Sequence, residues 1–205
     1  MNIYALSMDR NMIAIGFRRI VAVAKRAGYP VKSIYLLDSA QKASLAGSWW
    51  QQKTGYDFSV NYVKNYQSLQ KLAEYLAERA EIVAISLMSV QRNIAKVLCE
   101  KIKLCNPQVF IVIGGYHPTL DPEDAISFSD MIIIGEGELA FKEFLEKRRD
   151  GKDLSTIANV WLKRGTVVKK NPHTRLMSAQ ELELMPFMDY TLQDQYLFSY
   201  ASGVL

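Results

Sequence analysis

Cysteine and histidine are scarce in this 205-residue sequence, which has two of each. Cys99 and Cys105 stand six apart in a helical stretch, a spacing that is neither a CxxC site nor a disulfide framework. Both read as core-facing thiols. No apolar run approaches the roughly 18 residues a membrane span requires. No signal peptide is evident, so the expected compartment is the cytoplasm. The charge imbalance is small, +4 at neutral pH. No basic stripe interleaved with aromatics accompanies it, and nucleic acid is not an expected partner. Internal repeats and low-complexity segments are missing too.

What is present is enough apolar material for a core: 49% of residues are hydrophobic and 22% charged, as in an ordinary soluble domain. Asn2–Ser7 reads as a first strand, Met12–Ala27 as a helix stopped by Gly28, and Val31–Leu37 as a second strand. Gln41–Lys53, ending in Trp49 and Trp50, reads as a helix and Phe58–Val63 as an extra edge strand. Leu69, Leu72, Ala73, Leu76, Ala77 and Ala80 form one helical stripe; Ile94, Val97, Leu98, Ile102 and Cys105 form another. Between them Ile82–Ser86 is a buried strand. Strands and helices in alternation predict a doubly wound parallel α/β sheet over residues 1–150. Residues 151–205 differ. Asn159–Leu162 and Thr166–Lys169 flank Arg164-Gly165 as a hairpin, and an extended connector follows Pro172.

The chemistry gathers between Val109 and Glu138. Two short apolar runs, Val109–Ile113 and Met131–Ile134, each end in a glycine-rich turn, Gly114-Gly115 and Gly135-Glu136-Gly137-Glu138. Runs apolar on both faces read as central parallel strands. Their carboxyl ends are where open α/β sheets hold ligands, and paired glycines let a bulky ligand approach the main chain. Taken alone, Gly114-Gly115 is either such a cradle or a plain strand-to-helix turn. Gly135–Ala140 also satisfies GxGxxA, but on the last unit rather than the first and without a following ribose-binding acid, which argues against a dinucleotide. A phosphoryl receiver needs an Asp where the third strand ends in Ser86, and a flavin phosphate loop needs Ser or Thr where the first loop reads Met8-Asp9-Arg10-Asn11.

GGYHP at 114–118 followed by SDMIIIGEGE at 129–138 resembles the cobalamin-binding domain that precedes the barrel of cobalamin-dependent radical S-adenosylmethionine (SAM) enzymes. The likeness continues through the hairpin NVWLKRGTVVKKNP (159–172) and the connector LELMPFMDYTL (182–192). It implies a flavodoxin-like, Rossmann-like fold and a cobalamin cofactor. It also implies a radical SAM barrel as partner, in cis or in trans, usually for methyl transfer. The [4Fe-4S] cluster and S-adenosylmethionine would belong to that barrel. Its CxxxCxxC signature does not occur here, and two cysteines cannot supply a cluster's thiolates. The chain by itself is expected to bind rather than catalyse. Where cobalamin modules carry DxHxxG, residues 9–14 read Asp-Arg-Asn-Met-Ile-Ala, with Asn11 in the histidine's place and Ala14 in the glycine's. The resemblance therefore implies base-off binding with no lower histidine ligand and no metal-ligating residue in the chain.

By the same resemblance Ser86 and Met88 match the SxL loop, whose serine hydroxyl bonds the buried base. Ser89, Val90 and Gln91 would continue along the corrin amides and the tail. Gly114, Gly115, Tyr116 and His117 would lie beside the cofactor. Gly135, Glu136 and Gly137 would flank the ribose and base, and Ser7, Met8 and Asp9 would sit beneath the ring. A rival reading makes the site degenerate and the domain a docking module for a partner barrel, with Trp49-Trp50 and the aromatic tail Tyr196–Tyr200 as interface.

Overall fold

A computed structural model of the chain describes residues 1–9, 13–37, 61–62, 69–191 and 193–199. The readings at Gln41–Lys53, Trp49-Trp50 and positions 10–12 lie outside the described residues. Among those described, nine strands form one sheet: β1 (Ile3–Ser7), β2 (Val31–Leu37), β3 (Asn61–Tyr62), β4 (Ile82–Ser86), β5 (Phe110–Gly114), β6 (Met131–Ile133), β7 (Val160–Arg164), β8 (Val167–Lys170) and β9 (Gln195–Ser199). Their order is β3-β9-β2-β1-β4-β5-β6-β7-β8. Pairing is parallel from β3 to β6 and antiparallel from β6 through β8. The α/β, flavodoxin-like sheet expected from the sequence is present, and the hairpin extends it.

Seven helices are described: α1 (Ile15–Arg26), α2 (Leu69–Arg79), α3 (Arg92–Cys105), α4 (Tyr116–Leu120), α5 (Pro122–Ser127), α6 (Glu138–Arg149) and α7 (Ala179–Glu183). None is long and apolar enough to cross a membrane. The stripes of α2 and α3 bury Leu72, Leu76, Leu98 and Ile102 on one face of the sheet. Phe17 and Val21 of α1 and Phe141 and Phe144 of α6 cover the other. Because side chains alternate along a strand, Ile3 and Ala5 of β1 face α1 and α6, whereas Tyr4 and Leu6 face α2 and α3.

Two expectations need correction. Cys99 is fully buried, but Cys105 is exposed. Six residues turn a helix through a net angle of roughly 120° between side chains, so one narrow stripe cannot bury both. The stretch after Pro172 is also more than a connector. Ser178 caps α7 through a capping box with Glu181, and β9 enters the sheet parallel to β2, pairing Ile34 with Tyr196 and Leu36 with Phe198. Leu197 and Phe198 are buried there, so these two residues of the aromatic tail are sheet core.

The tail is fastened to α1 by a buried arginine. Arg18 donates to the Asp189 carbonyl at 2.7 Å, and its guanidinium lies 4.8 Å from the ring centres of both Tyr35 and Tyr190. Lys25 pairs with the Asp189 carboxylate at 2.7 Å. A guanidinium taken out of water needs partners of this kind, and stacked rings with a carbonyl supply them.

Candidate functional site

Strand order reverses between β1 and β4: β1 leads to β2 on one side, and β4 leads to β5 and β6 on the other. A crevice opens at that switch point, as parallel sheets tend to make it. It has a volume of about 480 Å³ and runs between the sheet and the N-terminal ends of α1 and α6. That is within the usual range for a small-molecule site.

The register explains its shape. Ala5, Ala84 and Val112 are laterally paired on β1, β4 and β5 and form the floor. One row nearer the carboxyl edge, Ser86 pairs with Gly114. Small side chains in both rows leave a slot that larger residues would fill. The walls are Phe17 and Ile20 of α1, Gly137 at the N-cap of α6, and Phe141 of α6.

Of the residues expected at the site, Asp9, Ser86, Met88, Gly114, Gly115, Tyr116, Gly135, Glu136 and Gly137 line this crevice. Six do not. Met8 packs in the core on the α2–α3 side. Ser7 is fully buried at the end of β1, and its hydroxyl has no hydrogen-bond partner among the described residues. Gln91 is buried, and Val90 projects into solvent. Ser89 and His117 face each other, Oγ to Nδ1, at 3.2 Å. The reading from sequence missed the floor (Ala5, Ala84, Val112) and Phe17, Thr119 and Leu176. Alternation along the strands could have indicated the floor; nothing local marked Leu176.

The loops that end β4 and β5 are locked together. Leu87 N–H donates to the Gly114 carbonyl and His117 N–H to the Leu87 carbonyl, both at 2.9 Å. Gly115 has φ 102° and ψ −159°, a region essentially restricted to glycine. A Cβ there would stand 2.9 Å from the Leu87 oxygen.

The His117 ring is almost wholly enclosed, and its Nε2 meets Asp124 Oδ2 at 2.9 Å. Arg92 grips both oxygens of the same carboxylate. The Arg92 hydrogen bonds, with a smaller part from His117, hold the Asp124 carboxyl down at about 2. A carboxyl with a depressed folded pKa stabilises the fold above its unfolded value and loses that contribution as pH falls through the folded one. Stability from Asp124 is therefore complete above about pH 4 and disappears toward pH 2. Urea midpoints followed from pH 5 to pH 2 should fall less steeply for Asp124→Asn than for the unaltered protein.

The sequence profile of the B12 binding domain matches residues 1–145. The chain belongs to the B12-binding domain family. The cofactor of such a domain is cobalamin. A related sequence, the uncharacterized methyltransferase PH0819 of Pyrococcus horikoshii, is 31% identical over 121 residues, covering 57% of this chain and 26% of that protein. The radical SAM methyltransferase TsrM of Kitasatospora setae, solved with cobalamin and a [4Fe-4S] cluster, superposes with a TM-score of 0.59 at 14% identity. That match covers 86% of this chain and 29% of TsrM. The cobalamin-dependent SAM radical enzyme OxsB, solved with aqua-cobalamin, gives 0.58 at 12% identity, over 86% of this chain and 23% of OxsB. At such identities the two superpositions establish the fold. This B12-binding domain thus spans less than a third of each of these proteins.

Proposed function

We propose that this B12-binding domain is the cofactor module of a cobalamin-dependent radical SAM enzyme. In this reading it takes cobalamin base-off, with the nucleotide tail in the crevice and the corrin disc across the carboxyl edge of the sheet. The observation that carries it is the crevice floor, where Ala5, Ala84 and Val112 leave a deep apolar slot at the switch point.

The residues present fit the group. A flat aromatic base suits an apolar slot with few polar contacts, and Ser86 stands at the slot with a hydroxyl that can donate to a ring nitrogen. Gly114, where an added carbon would meet nothing within 4 Å, admits the tail alongside main chain. Ile15 and Tyr116 line the crevice yet are more than half exposed, which suits the underside of a corrin. Both His117 nitrogens are engaged, by Ser89 and Asp124, so the ring is not free to reach cobalt. Asn11, at the place of the lower-ligand histidine, brings no imidazole to cobalt.

When bound, cobalamin supplies a cobalt centre that accepts and passes on a methyl group. The chain's own part is to bind the tail, orient the disc and exclude water from the slot. The barrel that would hold S-adenosylmethionine and the [4Fe-4S] cluster is a partner in cis or in trans. Residues 151–205 would lead toward it, and methyl transfer is the reaction proposed for the whole enzyme. The docking-module alternative has lost part of its surface, because Leu197 and Phe198 are buried in the sheet.

Anaerobic titration with hydroxocobalamin, followed by gel filtration and visible spectroscopy, tests the reading. The expected result is corrin co-eluting with the protein and showing a base-off spectrum. A base-on spectrum, or no retained corrin, would overturn it.

A further inference from the structure

One wall of the crevice comes from outside the α/β unit. Leu176 lines the cavity although the residue is 73% exposed, an unfavourable place for an apolar residue with nothing to cover. It belongs to a strap, residues 172–177, that joins the hairpin to α7 and contributes Leu176 to the lining of the crevice.

The strap is tied down on both sides of Leu176. Before it, Asn159 N–H donates to the Pro172 carbonyl. The Asn159 side-chain amide donates to Thr174 Oγ1 at 3.1 Å and accepts from the Thr174 N–H at 2.7 Å. After it, the Met177 N–H donates to Glu136 Oε2 at 2.7 Å. Asn159 also accepts from the Ile134 N–H through its carbonyl. Both ties therefore lead back to the glycine turn after β6. The Met177 bond to the Glu136 carboxylate is charge-assisted, a class among the stronger hydrogen bonds.

We infer that Leu176 is a cofactor-retaining contact and that Glu136 is the positioning residue that holds it over the crevice. This deepens the cobalamin reading and rests on it. It also changes the part expected of Glu136: an oxygen of its carboxylate is spent on the strap rather than on ribose. A ligand in the slot would cover the exposed face of Leu176, and that burial would slow ligand escape more than ligand entry. Losing an apolar contact of this size corresponds to a roughly ten-fold faster dissociation.

Two measurements test it. In the first, hydroxocobalamin is loaded and its release followed by dilution into a corrin-scavenging excess of apo-protein. Leu176→Ala and Glu136→Ala should release it roughly ten-fold faster than the unaltered chain, while Glu136→Gln, which keeps a carbonyl acceptor for Met177 N–H, should restore slow release. In the second, trypsin is directed at the Arg175–Leu176 bond, since the Arg175 side chain is 68% exposed. Saturating hydroxocobalamin should slow cleavage there at least several-fold and leave cleavage after the exposed Arg164 of the hairpin unchanged. Unaltered release from both alanine variants, or equal cleavage at Arg175 with bound corrin confirmed spectroscopically, would overturn the inference. Failure of the unaltered chain to retain any corrin is a separate outcome, which overturns the cobalamin reading itself.

Discussion

Ala84→Phe should leave the domain folded and remove its cofactor. Ala84 sits mid-strand on β4, between Ala5 and Val112 in the register, and its methyl group faces the crevice. A phenyl ring there enters the slot that a nucleotide tail would occupy. The ring enters a crevice lined largely by apolar side chains, so the domain should stay folded, with overpacking costing the thermal midpoint only a few degrees. Affinity for hydroxocobalamin should fall at least about 100-fold, a loss of roughly 2.7 kcal/mol or more. Parallel visible titration and thermal melts check both halves. Unchanged corrin uptake with a stable fold would mean that the tail does not enter the crevice.

Gly115→Ala should damage the fold and the site together. The residue needs a backbone conformation that costs an L-residue about 1–3 kcal/mol, and its new Cβ would press on the Leu87 carbonyl and nitrogen, 2.9 and 3.0 Å away. Neither side can retreat cheaply, because Leu87 and the Gly114–His117 turn are joined by two backbone hydrogen bonds. For a domain of this size each kcal/mol lowers the midpoint by about 2–4 °C, so a drop of roughly 5–10 °C is expected. Corrin affinity should fall as well, since Ser86, Met88 and Tyr116 are carried on the two displaced loops. Gly135→Ala is the control. It too has a positive φ, 74°, but nothing lies within 4 Å of the added carbon, so it should cost only about 1 kcal/mol. Equal losses from the two variants would show that the Leu87 contact is unimportant.

How much of this was readable beforehand varies along the chain in a physical pattern. The strand at Ile82–Ser86 and the helices on either side of it are local in origin. Each is a run with one period, and burial of that period's face decides the state. The glycine turns after β5 and β6 were equally visible, because a backbone with φ near 100° or a close approach leaves few alternatives to glycine. Met8 was misjudged for the opposite reason. Adjacent to a predicted ligand loop in sequence, it follows the end of β1, and the side to which it turns is decided by which helices cover which face. Cys105 is a smaller case of the same kind. Leu176 had no signature: an isolated leucine in a polar connector is placed by ties to Glu136 and Asn159, 40 and 17 residues earlier. Likewise Tyr196–Phe198 looked like an exposed aromatic tail, since strand propensity does not say whether an edge is available to pair with.

The sequence by itself determined the alternation of strands and helices, the carboxyl edge at which a ligand would sit, and the lack of thiolates for a cluster. These follow from short-range periodicity and composition, which each segment carries regardless of its neighbours. The tertiary structure alone decided that three small residues from three strands line up as one floor, and that His117 is consumed by Asp124 and Ser89. It also decided that Leu176, from beyond the hairpin, returns to line the crevice. Those outcomes depend on strand register and on which segments share a face, and register is fixed only when the whole sheet is assembled.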